Sequence, residues 1–316
     1  MVNKIGKALE RSMRACVSSR LIPIVLKWVW FTLYGWLLKR SFMRSFRPAI
    51  ITRYGCKLAG GPTDSNLNKI ILYREVFEPV LSDLIWRIVG EGDICIDVGA
   101  NVGYFTLIMA KKVGGSGKVI AIEAAPGNAR LLKSNVELNG FGDRVRVIEA
   151  AVSDSAGDVT FYIHPKNDML CRLELPQKTE MDYWLMGRRW QPVIVRANTL
   201  RALTGDIAEK VSFIKLDAEG VETRVIKDIL TAFTHERLCV AMEAKAPHIR
   251  ETLEPFEKAG FFAYNLHNNY RWVFEKKVKP ISRENFADLY AERMMVDVLI
   301  SRRELPPSFC QGKERL

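Results

Sequence analysis

The sequence predicts an α/β protein in which a doubly wound, mainly parallel sheet is covered by helices on both faces. Short apolar segments alternate with helix-patterned segments over most of the chain, and apolar strands joined by helices are typical of parallel sheets. The 316 residues are 48% hydrophobic and 26% charged, which is enough apolar material for a large core. This composition excludes a disordered chain, a fibre and a small disulfide-rich fold.

The individual elements follow from hydrophobic periodicity and from the turn residues between them. Predicted helices cover residues 68–89, 104–112, 128–138, 221–230 and 249–259. Predicted strands cover residues 94–98, 119–122, 145–152, 211–216, 238–242, 261–266, 270–274 and 296–300. Between residues 164 and 192 the hydrophobic periodicity is lost, and the segment is polar with scattered aromatic residues. We interpret it as an insertion over the functional site.

Four regions result from this pattern. Residues 1–50 form a basic, Trp-rich helical extension, residues 51–92 a helical lead-in, residues 93–304 the main domain with the insertion at 164–192, and residues 305–316 a tail. No repeat of fixed period is present, which argues against a solenoid.

Positive charge is concentrated at the start of the chain. Residues 1–47 contain ten Lys or Arg and one Glu, so they carry +9 of the total +11. The nearly neutral remainder argues against a nucleic-acid partner, whereas a basic leader beside an apolar run favours an anionic membrane surface. Six scattered cysteines without a C-x-x-C pair favour a reducing compartment. We therefore expect a cytoplasmic protein associated with the cytoplasmic face of a membrane.

The apolar run itself covers residues 21–38 and contains a single charge, Lys27, with Trp28, Trp30 and Trp36 around it. A helix lying in the plane of a membrane fits the tryptophans and the lysine best. A helix packed on the main domain and a true membrane span are the alternatives, although a central lysine costs about 2.5 to 3.5 kcal/mol on insertion scales.

A glycine-bearing turn follows the strand at residues 94–98. Asp97, Gly99 and Gly103 give the spacing acid-x-Gly-x-x-x-Gly, and Glu123 stands at the end of the next strand. Such a turn lets a ligand approach backbone N–H groups, and an acid at the second strand can bind ribose hydroxyls. Because Asn101 and Tyr104 replace the later glycines of a dinucleotide fingerprint, an adenosine joined to an amino acid fits better than a pyrophosphate.

Four ordered segments resemble one family. The segments IDVGANVGYFTLIMA, VIAIEAAPGNARLLKSNVELNG, VIEAAVSDSAG and VSFIKLDAEGVETRVIKDIL are similar to those of the FkbM family of S-adenosylmethionine-dependent methyltransferases, over residues 93–274. The resemblance implies a class I methyltransferase fold, which is Rossmann-like and has a seven-stranded sheet whose last strand is antiparallel. It also implies S-adenosylmethionine as the cofactor.

The same resemblance implies the cofactor-binding residues. The methionine end would lie against Asp97, Gly99, Ala100, Asn101 and Gly103, the ribose against Glu123, and the adenine beside Ala151 and Val152, with Ser153 and Asp154 nearby. The chain departs from the family pattern at residues 199–201, where Thr-Leu-Arg replaces Thr-Leu-Asp, and at residues 124–126, where Ala-Ala-Pro replaces a direct Glu-Pro.

Acidic residues at later strand ends are the catalytic candidates. Methyl transfer to a hydroxyl needs a group that removes the proton as the bond forms. Asp217, Glu219 and Glu243 are the carboxylates considered for this role, and His248 is a weaker candidate. Capping of a helix start explains Glu219 equally well. A variant with Mg²⁺ held by Asp217 and Glu243 is a minor alternative, and no metal ligand set is evident.

The expected function is O-methylation of a hydroxyl on a small-molecule, sugar, glycolipid or polyketide-like acceptor, which includes lipid-linked acceptors. Two alternatives stay open: an NAD-type oxidoreductase, and a non-catalytic membrane-tethered module that retains the fold. Binding of S-adenosylhomocysteine rather than NAD separates the first from the second, and turnover excludes the third.

Overall fold

The computed structural model describes residues 50–59, 65–164, 171–173, 190–217, 222–268, 280–292 and 295–310, with scattered positions between 8 and 33. The predicted strand at 270–274 and the candidate Glu219 lie outside the described residues.

A twisted central sheet organises the chain. Its strands are β3 (Ile94–Val98), β4 (Lys118–Ile122), β5 (Val145–Ile148), β9 (Val211–Leu216), β10 (Cys239–Lys245), β11 (Phe262–Asn265), β12 (Ser282–Glu284) and β13 (Met295–Ser301). Their order is β12-β11-β13-β10-β9-β3-β4-β5, with β13 antiparallel to β10 and β11. The doubly wound α/β prediction is confirmed, and β12 adds one edge strand to the seven that the family resemblance implies.

Helices cover both faces of this sheet. They are α1 (Asn66–Arg74), α2 (Pro79–Ile88), α3 (Tyr104–Val113), α4 (Pro126–Leu138), α5 (Leu200–Thr204), α6 (Glu222–Ala232), α7 (Ile249–Lys258) and α8 (Phe286–Tyr290). One apolar core lies between the sheet and α1 to α4, and a second lies between the opposite face and α5 to α8. Both faces of the central strands are therefore buried, as parallel strands require.

The predicted helix at 68–89 is wrong as a single element, because the chain breaks into α1 and α2. Glu75 and Glu78 adopt left-handed conformations with φ of 59° and 39°, and Pro79 begins α2. Proline lacks an N–H group and disfavours helical geometry in the preceding residue, so the periodic apolar pattern continues while the helix does not. The lead-in also contains a short hairpin of β1 (Ile50–Ile51) and β2 (Lys57–Leu58).

The predicted strand at 145–152 is also wrong as a single element. It ends at Ile148, and β6 (Ala151–Val152) joins a separate three-stranded sheet with β7 (Gly157–Ile163) and β8 (Gln191–Asn198). No predicted strand corresponds to β7 and β8, which pair antiparallel from Gly157–Ala197 to Ile163–Gln191 and so bring the two ends of the insertion together. Their outer faces are exposed, and alternating strands give a weaker apolar signal than buried ones.

The N-terminal extension is described at few positions. Residues 26, 27, 29, 30, 32 and 33 are helical, Lys27 is buried, and Trp30 packs against the first core. Within the described residues, no helix combines the length and apolar character needed to cross a membrane.

Candidate cofactor site and the carboxyl edge of the sheet

The loop between β3 and α3, residues 99–103, is held in an unusual backbone conformation. Gly99, Asn101 and Gly103 have φ values of 71°, 51° and 94°, a region that favours glycine. A Cβ atom at position 103 would lie 2.4 Å from Cδ1 of Leu132 in α4. Glycine at position 103 is thus required both by the turn and by the close approach of α4.

The N–H groups of this loop all donate within the protein. Those of Gly99 and Ala100 donate to the carbonyl of Ile122, and that of Gly103 donates to the carbonyl of Ala100. The N–H of Val102 donates to the side-chain oxygen of Asn101. The turn thus uses these N–H groups to fix its own shape, and their contact with a ligand stays a prediction.

Glu123 joins the loop to the end of β4. One carboxylate oxygen accepts the N–H of Asn101 at 2.7 Å and the other accepts the N–H of Ala125 at 2.8 Å. Burial raises the pKa of Glu123 to about 7, although both N–H groups lower it. Each oxygen retains a second lone pair, so the carboxylate can still accept two hydroxyl groups. This geometry fits the sugar of a nucleoside.

Asp97 lies beneath the loop and is fully buried. Its carboxylate accepts a hydrogen bond of 2.6 Å from the hydroxyl of Thr106 and lies 3.4 Å from Nζ of Lys215. Burial raises the pKa of Asp97, and Lys215 and Thr106 oppose that shift. Through Thr106 and Lys215, Asp97 thus supports the loop at residues 99–103. Its direct contact with a cofactor stays a prediction.

Lys215 connects the loop to the next strand end. Its buried ammonium group lies 3.3 Å from the carboxylate of Asp217 and donates to the carbonyl of Gly99 at 3.2 Å. Burial alone lowers the pKa of Lys215, but Asp217, Asp97 and Glu78 together raise it above its usual value. Lys215 is therefore held in its charged form between the loop at residues 99–103 and Asp217.

Small apolar residues surround the other side of Glu123. Ala124, Ala125 and Ala151 are buried in a third apolar cluster together with Phe161 of β7. Val152 belongs to the second core, and the exposed Asp154 accepts hydrogen bonds from the hydroxyls of Ser153 and Ser155. The predicted contact of adenine with Ala151, Val152 and Asp154 stays a prediction.

Two of the remaining catalytic candidates lie at the same edge of the sheet, and His248 does not. Asp217 directly follows β9, and Glu243 lies near the end of the neighbouring strand β10, at the same edge of the sheet. His248 lies away from them, exposed before α7, and pairs with Glu251 at 2.9 Å. Among the described residues, no group of three or more His, Cys, Asp or Glu side chains is arranged to hold a metal ion.

Two carboxylates of this edge were missed by the sequence analysis. Asp297 lies on β13 directly opposite Glu243, and Glu78, the residue before α2, interacts with both. Burial raises the pKa of Glu78 well above its usual range, and Asp297 and Asp217 raise it further. Asp297 is a single acid on an antiparallel strand, and only the register of that strand places it at this edge. Glu78 is a single acid in the irregular segment before Pro79, and only the break in the helix could have indicated it.

Tyr104 occupies the position that a dinucleotide-binding turn gives to a third glycine. Its side chain is buried, and its hydroxyl accepts the N–H of Phe77 at 3.1 Å and lies 3.1 Å from the hydroxyl of Ser82. The ring therefore ties α3 to α2.

Comparison with known proteins agrees with this geometry. The family model described as the methyltransferase FkbM domain matches residues 97–263. The chain is 30% identical over 204 residues to the 31-O-demethyl-FK506 methyltransferase FkbM of Streptomyces tacrolimicus, covering 55% of this chain and 74% of that protein. It is 23% identical over 185 residues to methyltransferase sdnD of Sordaria araneosa, covering 52% and 70%.

Among solved structures, a SAM-dependent O-methyltransferase from Thermotoga maritima aligns with a TM-score of 0.39 and 17% identity, covering 76% of this chain and 73% of that chain. The family match spans more than half of the sequence and includes the loop, Glu123, Lys215, Asp217 and Glu243. The chain therefore belongs to the FkbM family of S-adenosylmethionine-dependent methyltransferases.

Proposed function

We propose that the protein transfers a methyl group from S-adenosylmethionine to a hydroxyl oxygen of a sugar, glycolipid or polyketide-like acceptor. The observation that carries this proposal is a pair of carboxylates at the carboxyl edge of the sheet, Asp217 after β9 and Glu243 on β10, beside the loop that Glu123 and Lys215 hold in shape. The name of the Streptomyces relative, which specifies methylation at an oxygen, supports the same chemistry.

The residues present fit the cofactor. The ribose hydroxyls would donate to the free lone pairs of Glu123, the methionine part would lie along residues 99–103, and the adenine would lie beside Ala151, Val152 and Asp154. When bound, S-adenosylmethionine supplies an electrophilic methyl group on sulfur.

The protein's own task in such a transfer is positioning. A displacement of this kind needs the attacking oxygen aligned with the methyl carbon, and water kept out. Lys215 fixes the relative positions of Gly99 and Asp217, and so links the cofactor loop to the acceptor side. Carboxylates at that side can accept hydrogen bonds from the hydroxyl groups of an acceptor and orient them.

The test is transfer of an isotopically labelled methyl group. The purified full chain is incubated with labelled S-adenosylmethionine and a heat-treated extract of lipids and glycans, and the products are analysed by mass spectrometry. We expect label in a product from which mild base does not remove it, as for a methyl ether. Absence of any labelled product, or label attached to nitrogen or carbon, contradicts the proposal. Turnover also excludes a non-catalytic module.

We also propose that the N-terminal extension binds an anionic phospholipid surface on the cytoplasmic side of a membrane. Leu26, Val29 and Leu33 are spaced three and four residues apart, so they share one helix face, and their side chains are 56%, 58% and 39% exposed. Lys27 is buried instead. An outward apolar face within a segment of charge +9 complements an acidic lipid surface. All six cysteines are free thiols, which supports a reducing compartment.

Vesicle sedimentation tests this second proposal. We expect the full chain to sediment with vesicles containing phosphatidylserine, more weakly at high salt, and not with phosphatidylcholine alone. Val29→Glu is expected to abolish sedimentation. Ile194→Glu, which places the same change at a 69% exposed position on β8, serves as the control and should leave it intact. Equal sedimentation of both variants, or none by the wild type, contradicts the proposal.

A further inference from the structure

Strand register brings three carboxylates into one row at the carboxyl edge of the central sheet. Val98, Leu216, Met242 and Val298 are paired across β3, β9, β10 and β13 in that order. The next position toward the edge is therefore occupied by Asp217, Glu243 and Asp297. We refer to these three residues as the carboxylate row.

The carboxylate row faces the side of the sheet that α2 and α3 cover. Side chains two residues apart on a strand share a face. Lys215, Ala241 and Leu299 each lie two residues from a member of the row. Ala241 and Leu299 belong to the first core, which α2 and α3 complete, and Lys215 contacts Asp97 beneath the loop. The row thus continues the cofactor site outward on the same face.

Asp297 has the most distinctive surroundings of the three. It lies directly opposite Glu243, its carbonyl accepts the N–H of Leu266 at 2.9 Å, and its carboxylate accepts a hydrogen bond from the side chain of Asn268. Directly opposite residues have Cβ atoms about 4.5 to 5.5 Å apart, so the two carboxylates interact. Asp297 is only partly buried, which leaves it open to a ligand.

The other two members of the row are paired with lysines. Asp217 lies 3.3 Å from Lys215, and Glu243 lies 2.6 Å from Lys245. Within the described part of the chain, no ion pair joins Asp297 to a Lys or Arg. A lysine partner stabilises the ionised form of a carboxylate and makes it a weaker base. Asp297 is therefore the member best suited to take up a proton.

Burial and the neighbouring carboxylates also favour the protonated form of Asp297. Burial, Glu243 and Asp217 raise the pKa of Asp297 to about 7, against the opposing effects of Asn268 and Lys245. Glu78, at the start of α2, also interacts with Asp297. A general base is most effective when its pKa lies near the working pH.

We propose that Asp297 is the general base that accepts the proton of the acceptor hydroxyl during methyl transfer, which rests on the proposed O-methylation. In this step the acceptor oxygen forms a bond to the methyl carbon while the methyl–sulfur bond breaks and its electron pair stays on sulfur. The hydroxyl proton passes to the carboxylate of Asp297 and leaves later to water. Asn268 is a positioning residue that holds the carboxylate.

The first test measures the titration of the carboxyl group without any turnover. Aspartate labelled with carbon-13 at the side-chain carboxyl is incorporated into the full chain, so Glu123 and the other glutamates give no signal. We expect one aspartate to titrate near pH 7 in the wild type and in the exposed control Asp288→Asn, and that signal to be absent in Asp297→Asn. Titration of Asp297 in the ordinary range of aspartate, near pH 4, overturns the proposal.

The second test measures transfer of labelled methyl groups to the lipid and glycan extract across neutral pH. Asp297→Asn is expected to slow transfer by about 100-fold or more and to remove the rise in rate near pH 7, with unchanged affinity for S-adenosylhomocysteine. Asp297→Glu should recover part of the rate, and Asp288→Asn should match the wild type. Transfer that keeps its rate and pH profile in Asp297→Asn overturns this assignment alone, whereas no transfer by the wild type contradicts the proposed function and this assignment with it.

Discussion

Replacing Lys215 by methionine is expected to destabilise the protein by about 3 to 5 kcal/mol. The change leaves the fully buried Asp97 without its cationic partner, and breaking one side of a buried ion pair has this magnitude because the remaining charge is uncompensated. The carbonyl of Gly99 also loses its donor. Urea unfolding followed by circular dichroism measures the loss.

Two further variants show whether the loss of stability comes from the uncompensated charge or from changed packing. The double change Asp97→Asn with Lys215→Met removes both charges, and we expect it to recover part of the lost stability. Lys210→Met alters an exposed lysine just before the same strand and should change stability by less than about 0.5 kcal/mol. A Lys215→Met protein as stable as the wild type contradicts the role given to this lysine.

Glu123→Ala is expected to weaken binding of S-adenosylhomocysteine by about 100-fold or more. Two hydrogen bonds from ribose hydroxyls to a carboxylate are worth about 1.5 to 3 kcal/mol each, and the change also releases the N–H groups of Asn101 and Ala125. Titration calorimetry measures the affinity. Glu149→Ala, at the end of the neighbouring strand where the glutamate only pairs with the half-exposed Lys133, is the matched control.

The affinity of the wild type for this ligand should also depend on pH. The carboxylate form of Glu123 accepts the ribose hydroxyls, and its pKa of about 7 means that it becomes protonated as the pH falls below neutral. Binding should be about fivefold weaker at pH 6 than at pH 7, since the ionised fraction falls from about one half to about one tenth. This dependence should disappear in Glu123→Gln. An affinity that is flat across this range, or that rises on acidification, contradicts the assignment.

Much of the architecture could be predicted because its signal is local. The strands at 94–98 and 211–216 are buried on both faces and therefore read as continuous apolar segments. The break before Pro79 was missed because the apolar spacing continues through residues 75–78, where only the backbone changes. The antiparallel pair β7 and β8 was missed because long-range pairing, not local pattern, holds these exposed strands in place.

Some residues of the candidate site could likewise be predicted from the sequence, and others could not. Gly99, Gly103 and Glu123 are spaced along consecutive elements, so sequence spacing pointed to them. Asp297 is separated from Glu243 by more than fifty residues, and only the antiparallel register of β13 places the two opposite each other. The side-chain orientation of Asp97, which faces Thr106 and Lys215 beneath the loop, likewise depends on packing that no local pattern encodes.

Residues 99–103 and Glu123 are proposed to bind a sulfur-linked adenosine and not a dinucleotide. Calorimetric titration of the full chain with S-adenosylhomocysteine and, separately, with NAD⁺ tests this proposal most directly. We expect one molecule of S-adenosylhomocysteine to bind per chain and NAD⁺ to give no measurable heat. Saturable binding of NAD⁺ without binding of S-adenosylhomocysteine would instead identify the site as a dinucleotide site.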